Sequence, residues 1–230
     1  MPPRRPPPPT LRQAAALAVA LVVPPACVVC RRSAEAVVCG DCLRALPWLR
    51  GHRCPRCALP RHRAGCPAAA AAFDRAWAPL AHEGAARALV HALKFRASLP
   101  VADVMAAHIA ANLPTDLRHP IVPVPPDRRR RRRRGFDPAA MLAERVAARA
   151  GLPLSACLRR TDHGHRQLGA GRHLRRSAGR FAAVATADLP PRVVLVDDVH
   201  TTGATLDACA KALKERGAEW VGAATYVRTL

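Results

Sequence analysis

The chain is poor in aromatic side chains and almost without lysine. Four Phe, three Trp and one Tyr make up 3% of its 230 residues, too few for base stacking to dominate a contact with nucleic acid. Acidic residues are scarce as well, with 16 Asp and Glu against 37 Lys and Arg, for a formal net charge of +21. Lys94, Lys211 and Lys214 are the only lysines, so arginine carries the charge. No apolar run reaches the roughly 20 residues needed to span a bilayer; the segment from Leu11 to Val23 comes nearest. A chain this basic selects polyanions: nucleic acid, an anionic membrane surface or phosphorylated substrates. Drift toward an Ala, Arg and Pro-rich composition accounts for the choice of arginine but not for its clustering.

A hydrophobic content of 50% over 230 residues is enough for one full α/β domain and a small module. Residues 1–10 read as a disordered Pro/Arg tail. Arg4, Arg5 and Arg12 ahead of the apolar run, and Pro24-Pro25-Ala26-Cys27 behind it, imitate a secretory signal peptide. A short helix packing on the domain is the preferred reading, because the cysteines that follow have metal spacing, not that of a disulfide framework. A cytoplasmic protein without a transmembrane span is therefore expected.

Cys27-Val28-Val29-Cys30 and Cys39-Gly40-Asp41-Cys42 are two knuckles separated by a short loop. Two residues between cysteines let both thiolates turn around one ion, and four thiolates complete a tetrahedral Zn²⁺ site. A third knuckle, Cys54-Pro55-Arg56-Cys57, precedes a lone Cys66, with His62 and His52 as candidates for a fourth ligand to a second zinc. A thioredoxin-like redox pair fits poorly, since it needs one knuckle at a helix start after a strand. Cys157 and Cys209 read as buried thiols, Cys209 because it falls on an apolar helix face.

The most informative segment is Val193-Val194-Leu195-Val196-Asp197-Asp198-Val199-His200-Thr201-Thr202-Gly203-Ala204-Thr205. Four apolar, mostly β-branched residues predict a parallel strand buried on both faces, with Asp197 and Asp198 at its carboxyl end. Leu206, Cys209, Ala210 and Leu213 share one face of a helix that follows. Thr201 to Thr205 then form a strand-to-helix loop at a helix amino terminus, where backbone N–H groups and the dipole hold a phosphate. Gly203 lets the backbone approach, the threonines add hydroxyls, and the paired carboxylates suit two vicinal ribose hydroxyls. His200 is read as a variable loop residue and not as a general base.

Upstream, Ala86, Leu89, Val90 and Leu93 share a helical face with Lys94 near its end, and Ile121 to Val124 read as a strand stopped by Pro125-Pro126. Arg128 to Arg134 follow, at what is the ligand-binding edge of a parallel sheet. Phe136 to Arg149 read as a helix with Met141, Leu142 and Val146 inward, ending at Gly151. Such an arginine run is usually a solvated loop. Here Arg159, Arg160, Arg166, Arg172, Arg175, Arg176 and Arg180 add to it, and guanidinium forks grip phosphate oxygens two at a time.

The acidic pair followed by Thr-Thr-Gly-x-Thr behind an apolar strand resembles the phosphoribosyl-diphosphate (PRPP) motif of the type I phosphoribosyltransferases. From about residue 15 onward the chain also resembles the ComF family of competence-associated phosphoribosyltransferase-like proteins. The resemblance rests on Cys39-Gly40-Asp41-Cys42-Leu43 with Leu46-Pro47-Trp48, on His91 to Arg96, on Val122-Pro123-Val124-Pro125, and on Arg134-Gly135-Phe136-Asp137. Gln167, the stretch Arg172 to Phe181 and the PRPP motif complete it. The chain departs from the family at the unpartnered Cys66, at Asp137 where Asn is usual, and at Gly169-Ala170-Gly171.

The resemblance implies a three-layer α/β, type I phosphoribosyltransferase-like domain with a mostly parallel sheet over residues 73–230, behind a helix and cysteine-rich zinc module over 11–72. It implies a PRPP-binding protein acting in DNA uptake with single-stranded DNA contact and a DNA-uptake helicase as partner; an active phosphoribosyltransferase of nucleotide metabolism or salvage is the alternative. Asp197 and Asp198 would take the ribose, Thr201, Thr202, Gly203, Ala204 and Thr205 the 5′-phosphate, and Lys94 the pyrophosphate as a loop residue. Mg²⁺ would accompany PRPP, with structural zinc on Cys27, Cys30, Cys39 and Cys42.

Overall fold

The computed structural model describes residues 25–62, 65–96, 99–126, 132–160, 181–183 and 189–230. The expected tail and first helix, Arg128 to Arg131, Gln167, Gly169 to Gly171 and the arginines from Arg166 to Arg180 lie outside them. The chain divides into two compact units, Met1–Ala45 and Leu46–Leu230.

The first unit is built around its cysteines. The Cys27 N–H donates to the Arg32 carbonyl at 2.8 Å, closing a turn in which Arg31 takes a φ of 64°. The helix α1 (Gly40–Arg44) then carries Cys42 inward and exposes an Arg44–Asp41 pair.

The second unit holds a five-stranded, wholly parallel sheet. Its strands are β1 (Arg75–Trp77), β2 (Leu80–Ala81), β3 (Ile121–Pro123), β6 (Arg192–His200) and β7 (Trp220–Arg228), in the order β1-β7-β6-β3. β2 continues β1 along the same edge of β7, pairing Leu80 with Val227. Parallel neighbours need a crossover, and α5 (Ala204–Lys214) supplies the one from β6 to β7. Val193, Leu195, Val221 and Ala223 share a core with Leu206, Cys209 and Leu213 of α5. By strand alternation, Val194, Val196, Ala224 and Tyr226 face the opposite side. There α3 (Leu99–Asn112) and α4 (Pro138–Ala150) pack on the sheet and on each other, with α2 (Gly84–Arg96) against α3. Three layers result, as expected. A small antiparallel pair, β4 (Leu158–Arg160) and β5 (Phe181–Ala183), stands apart from the sheet.

The helices follow the apolar periodicities. Ala86, Leu89, Val90 and Leu93 of α2 are all buried, and so are Cys157 and Cys209. Asp137 caps α4, its carboxylate accepting from the N–H groups of Ala139 and Ala140 at 3.1 Å, with Pro138 in the first turn. The cap places the start of α4 two residues later than Phe136. Gly151 closes α4 with a φ of 65°. Met141 is half-buried, not inward, while Leu142 and Val146 are fully buried. One glycine is dictated by packing: a Cβ on Gly222 would stand 2.6 Å from Leu117 Cδ2 and 2.7 Å from the Trp220 ring.

Candidate functional site

The strand β6 is longer than its apolar run. It pairs with β7 through Asp197, Val199 and His200, so both acids belong to the strand and the loop is reduced to Thr201 to Gly203. Ala204 and Thr205 already lie in the first turn of α5. Gly203 caps that helix at a φ of 82°, and a Cβ there would meet His200 Nε2 at 2.9 Å. The position thus demands glycine for the turn itself. The Thr202 hydroxyl accepts from the Ala204 N–H at 3.4 Å, and the Gly203 carbonyl takes the Asp207 N–H at 2.8 Å.

A cleft of about 580 Å³ opens at the carboxyl ends of β6 and β3, lined by Lys94, Asp197, Asp198, Thr201 and Thr205. Arg134 and Arg160 bring guanidinium groups to it, and His82 and Asp137 line it as well. A neighbouring cavity of about 260 Å³ shares Pro125, Pro126, Asp137 and Arg160 with it. Acids and bases from α2, β4, β6 and the segment ahead of α4 therefore converge where a parallel sheet places its ligands.

Alternation sends the two acids to different faces of β6, and their environments differ accordingly. Asp198 is 5% exposed, and its Oδ2 lies 2.9 Å from Lys94 Nζ. Its carboxylate is therefore a mostly buried partner of a helix lysine in the wall of the cleft. Lys94 reaches it from the last turn of α2, not from a loop. Asp197 Oδ1 accepts from the Asp198 N–H at 2.8 Å. Burial, and then the negative charge of Asp198, push the Asp197 carboxyl up to about 8.

His200 is the buried end of β6. Its ring meets Phe73 edge-on at 6.0 Å and does not line the cleft, and burial beside Arg228 pushes it down to about 4. The loop is held from beneath by Arg228, itself 5% exposed. One guanidinium nitrogen donates to the carbonyls of His200 at 3.0 Å and Thr201 at 2.6 Å, while its Nε donates to the Cys57 carbonyl at 2.8 Å. Sequence reasoning passed over Arg228 and His82, since neither belongs to a motif. A lone arginine at the end of an apolar strand was the available signal for the first.

Cys27, Cys30, Cys39 and Cys42 converge in the first unit, and Cys54, Cys57, His62 and Cys66 in the second, with the ligand atoms of each group within 4.8 Å of one another. His62, not His52, completes the second group. Thiolates bound at about 2.3 Å to one tetrahedral zinc stand about 3.8 Å apart; Cys30 and Cys39 are 3.8 Å apart and Cys54 and Cys66 3.7 Å. Burial opposes ionisation of Cys27 and Cys54, yet surrounding donors pull both down to about 6. The N–H groups of Cys30, Cys39 and Val29 do so for Cys27, and His62 leads for Cys54. Both donor sets fit Zn²⁺.

Residues 18–72 match the double zinc ribbon domain, and residues 138–229 match the phosphoribosyl transferase domain. Competence protein F of Haemophilus influenzae (strain ATCC 51907 / DSM 11121 / KW20 / Rd) is 36% identical over 104 residues, covering 43% of this chain and 45% of that protein. The match thus spans less than half of the relative. Zinc ribbon and cysteine clusters together support structural zinc. No helix among the described residues is long and apolar enough to cross a membrane.

Proposed function

We propose that this chain, which belongs to the ComF family of phosphoribosyltransferase-like proteins, binds PRPP in the 580 Å³ cleft and contacts single-stranded DNA beside it during DNA uptake in the cytoplasm. The observation that carries the reading is the convergence of Asp197, Asp198, Lys94, Thr201 and Thr205 on one cleft. The 5′-phosphate lies on Thr201, Thr202, Gly203, Ala204 and Thr205, at the amino terminus of α5. The ribose hydroxyls lie on Asp197 and Asp198. Asp197 keeps its proton into the neutral range, so it can both donate and accept and adds no repulsion to a polyanion. Lys94 and Arg134 face the pyrophosphate, for which Lys94 exchanges its carboxylate partner.

Mg²⁺ bound with PRPP would supply charge neutralisation of the pyrophosphate. Zinc in the first unit would be held by Cys27, Cys30, Cys39 and Cys42, and a second zinc by Cys54, Cys57, His62 and Cys66. A DNA-uptake helicase is the protein partner this role calls for.

A second reading, pentosyl transfer from PRPP, is favoured by the adjoining 260 Å³ cavity, which gives an acceptor room next to Arg160. Lys94 and the guanidinium groups would then stabilise departing pyrophosphate electrostatically. Pyrophosphate release from PRPP and Mg²⁺, followed with a panel of nucleobase and amine acceptors and with and without single-stranded DNA, separates the two. Binding without release supports the first, and steady release supports transfer. No interaction with PRPP at all would overturn both.

A further inference from the structure

We propose that Phe95, with His91 beside it and Arg134 over it, is a stacking platform for a base of single-stranded nucleic acid at the mouth of the cleft. The inference rests on the single-strand contact proposed above and gives it a location. In a chain with so few aromatics, their placement is informative. Phe73 and Tyr226 are fully buried and Trp77 nearly so, whereas Phe95 is 56% exposed, alone among the described Phe, Trp and Tyr side chains. It follows Lys94, whose ammonium reaches the cleft. His91 lies one turn back on α2, with ring centroids 4.5 Å apart and planes 34° from parallel. The Arg134 guanidinium stands 5.4 Å from the Phe95 centroid and also lines the cleft. One arginine therefore joins an exposed π surface to the phosphate cavity.

That combination fits a nucleotide better than an apolar partner. Burying Phe95 against a hydrophobic surface would strip water from Arg134 and from the exposed Arg132 and Arg133 without giving them acceptors. A nucleic-acid strand satisfies both needs at once, with a base on the ring and its flanking phosphates on the three guanidinium groups. Because every base has a π face, the contact is tolerant of sequence. Base stacking then adds at one place to a contact that is electrostatic elsewhere. Phe95 does not line the cleft, so the platform lies outside the space assigned to PRPP.

The test compares an oligothymidylate with an abasic deoxyribose-phosphate oligomer of equal length, by fluorescence anisotropy at low salt, on the full chain and on Phe95→Ala and Phe95→Trp. We expect the wild type to prefer the base-bearing strand at least about fivefold, the lower end of what one stacked base contributes. Phe95→Ala should bind both oligomers alike, at the wild-type affinity for the abasic one and with an unchanged salt slope. Phe95→Trp should keep the preference. Equal binding of the two oligomers by the wild type, or a full preference retained in Phe95→Ala, overturns the platform and leaves the single-strand contact standing. Failure of the wild type to bind either oligomer overturns both.

Discussion

The ammonium of Lys94 lies 2.9 Å from the Asp198 carboxylate, and that pair closes α2 onto the carboxyl end of β6. It gives Asp198 a fixed partner and leaves Asp197, its neighbour in sequence, to bear the cost of adjacent negative charge. One acid is ion-paired and the other is held in its neutral form, so the two carboxylates are not equivalent.

Asp197 should therefore cost stability at neutral pH. Its native carboxyl titrates at about 8, against 3.8 for the unperturbed group. Between those values the unfolded chain releases a proton that the native chain keeps, so this group's contribution falls as pH rises from about 4 to 8. Asp197→Asn removes the dependence while retaining an acceptor for the Asp198 N–H. Its melting temperature should exceed that of the wild type at pH 8 and converge with it below pH 4, as thermal unfolding across a pH series would show. A gap independent of pH would contradict the assignment.

Metal content should report two independent zinc sites. With one ion per cysteine cluster, the native chain should carry about two, and either Cys39→Ser or His62→Ala should lower this to about one. Losing a thiolate uncouples folding from metal only around the affected site. Cys39→Ser should thus loosen the Met1–Ala45 unit and leave the parallel sheet of the second unit intact. Elemental analysis with circular dichroism reads both effects. Unchanged zinc in Cys39→Ser would refute the first site, and unchanged zinc in His62→Ala the second.

Gly203→Ala should damage the turn even without ligand. It forces a side chain into left-handed backbone at a φ of 82° and sets its Cβ 2.9 Å from the buried His200 ring. Strain of this kind costs roughly 1–3 kcal/mol. The expected result is a lower denaturation midpoint together with weaker PRPP binding. A variant as stable as the wild type would show that the turn tolerates a side chain.

DNA binding should be strongly salt-dependent. Each phosphate contact on a single strand contributes roughly −0.7 to the slope of log K against log salt. Replacing Arg132 and Arg133 by Ser should then flatten that slope by about 1.4 units if both touch phosphate, with PRPP affinity little changed because Lys94 and Arg134 remain in the cleft. An identical slope in the variant would assign these residues to a solvated rim.

Local pattern carried much of this architecture. The burial of Val193 to Val196, the helix bearing Leu206 and Leu213, and the two cysteine groups all follow from periodicity or spacing. What escaped it is tertiary. The apolar stretch of β6 ends at Val196, but pairing with β7 extends the strand through both acids to His200, and no local propensity encodes that partner. Periodicity placed Lys94 near the end of a helix, as found in α2, but not its pairing with Asp198, which lies 104 positions away. Within His91 to Arg96 nothing local marks Phe95, and only its exposure beside Arg134 separates it from Phe73. The Arg228 clamp joins residues 171 positions apart, beyond any window of pattern analysis.

The most direct measurement is a calorimetric titration of PRPP with Mg²⁺ into the native chain and into Asp197→Asn with Asp198→Asn. The account predicts saturable binding to the native chain. The double variant should bind roughly thirtyfold more weakly or worse, as the loss of one charged acceptor at Asp198 and one neutral partner at Asp197 would imply, with the circular dichroism spectrum unchanged. Equal affinity in the two proteins would contradict it and reduce the acidic pair and its threonine turn to a structural connection between β6 and α5.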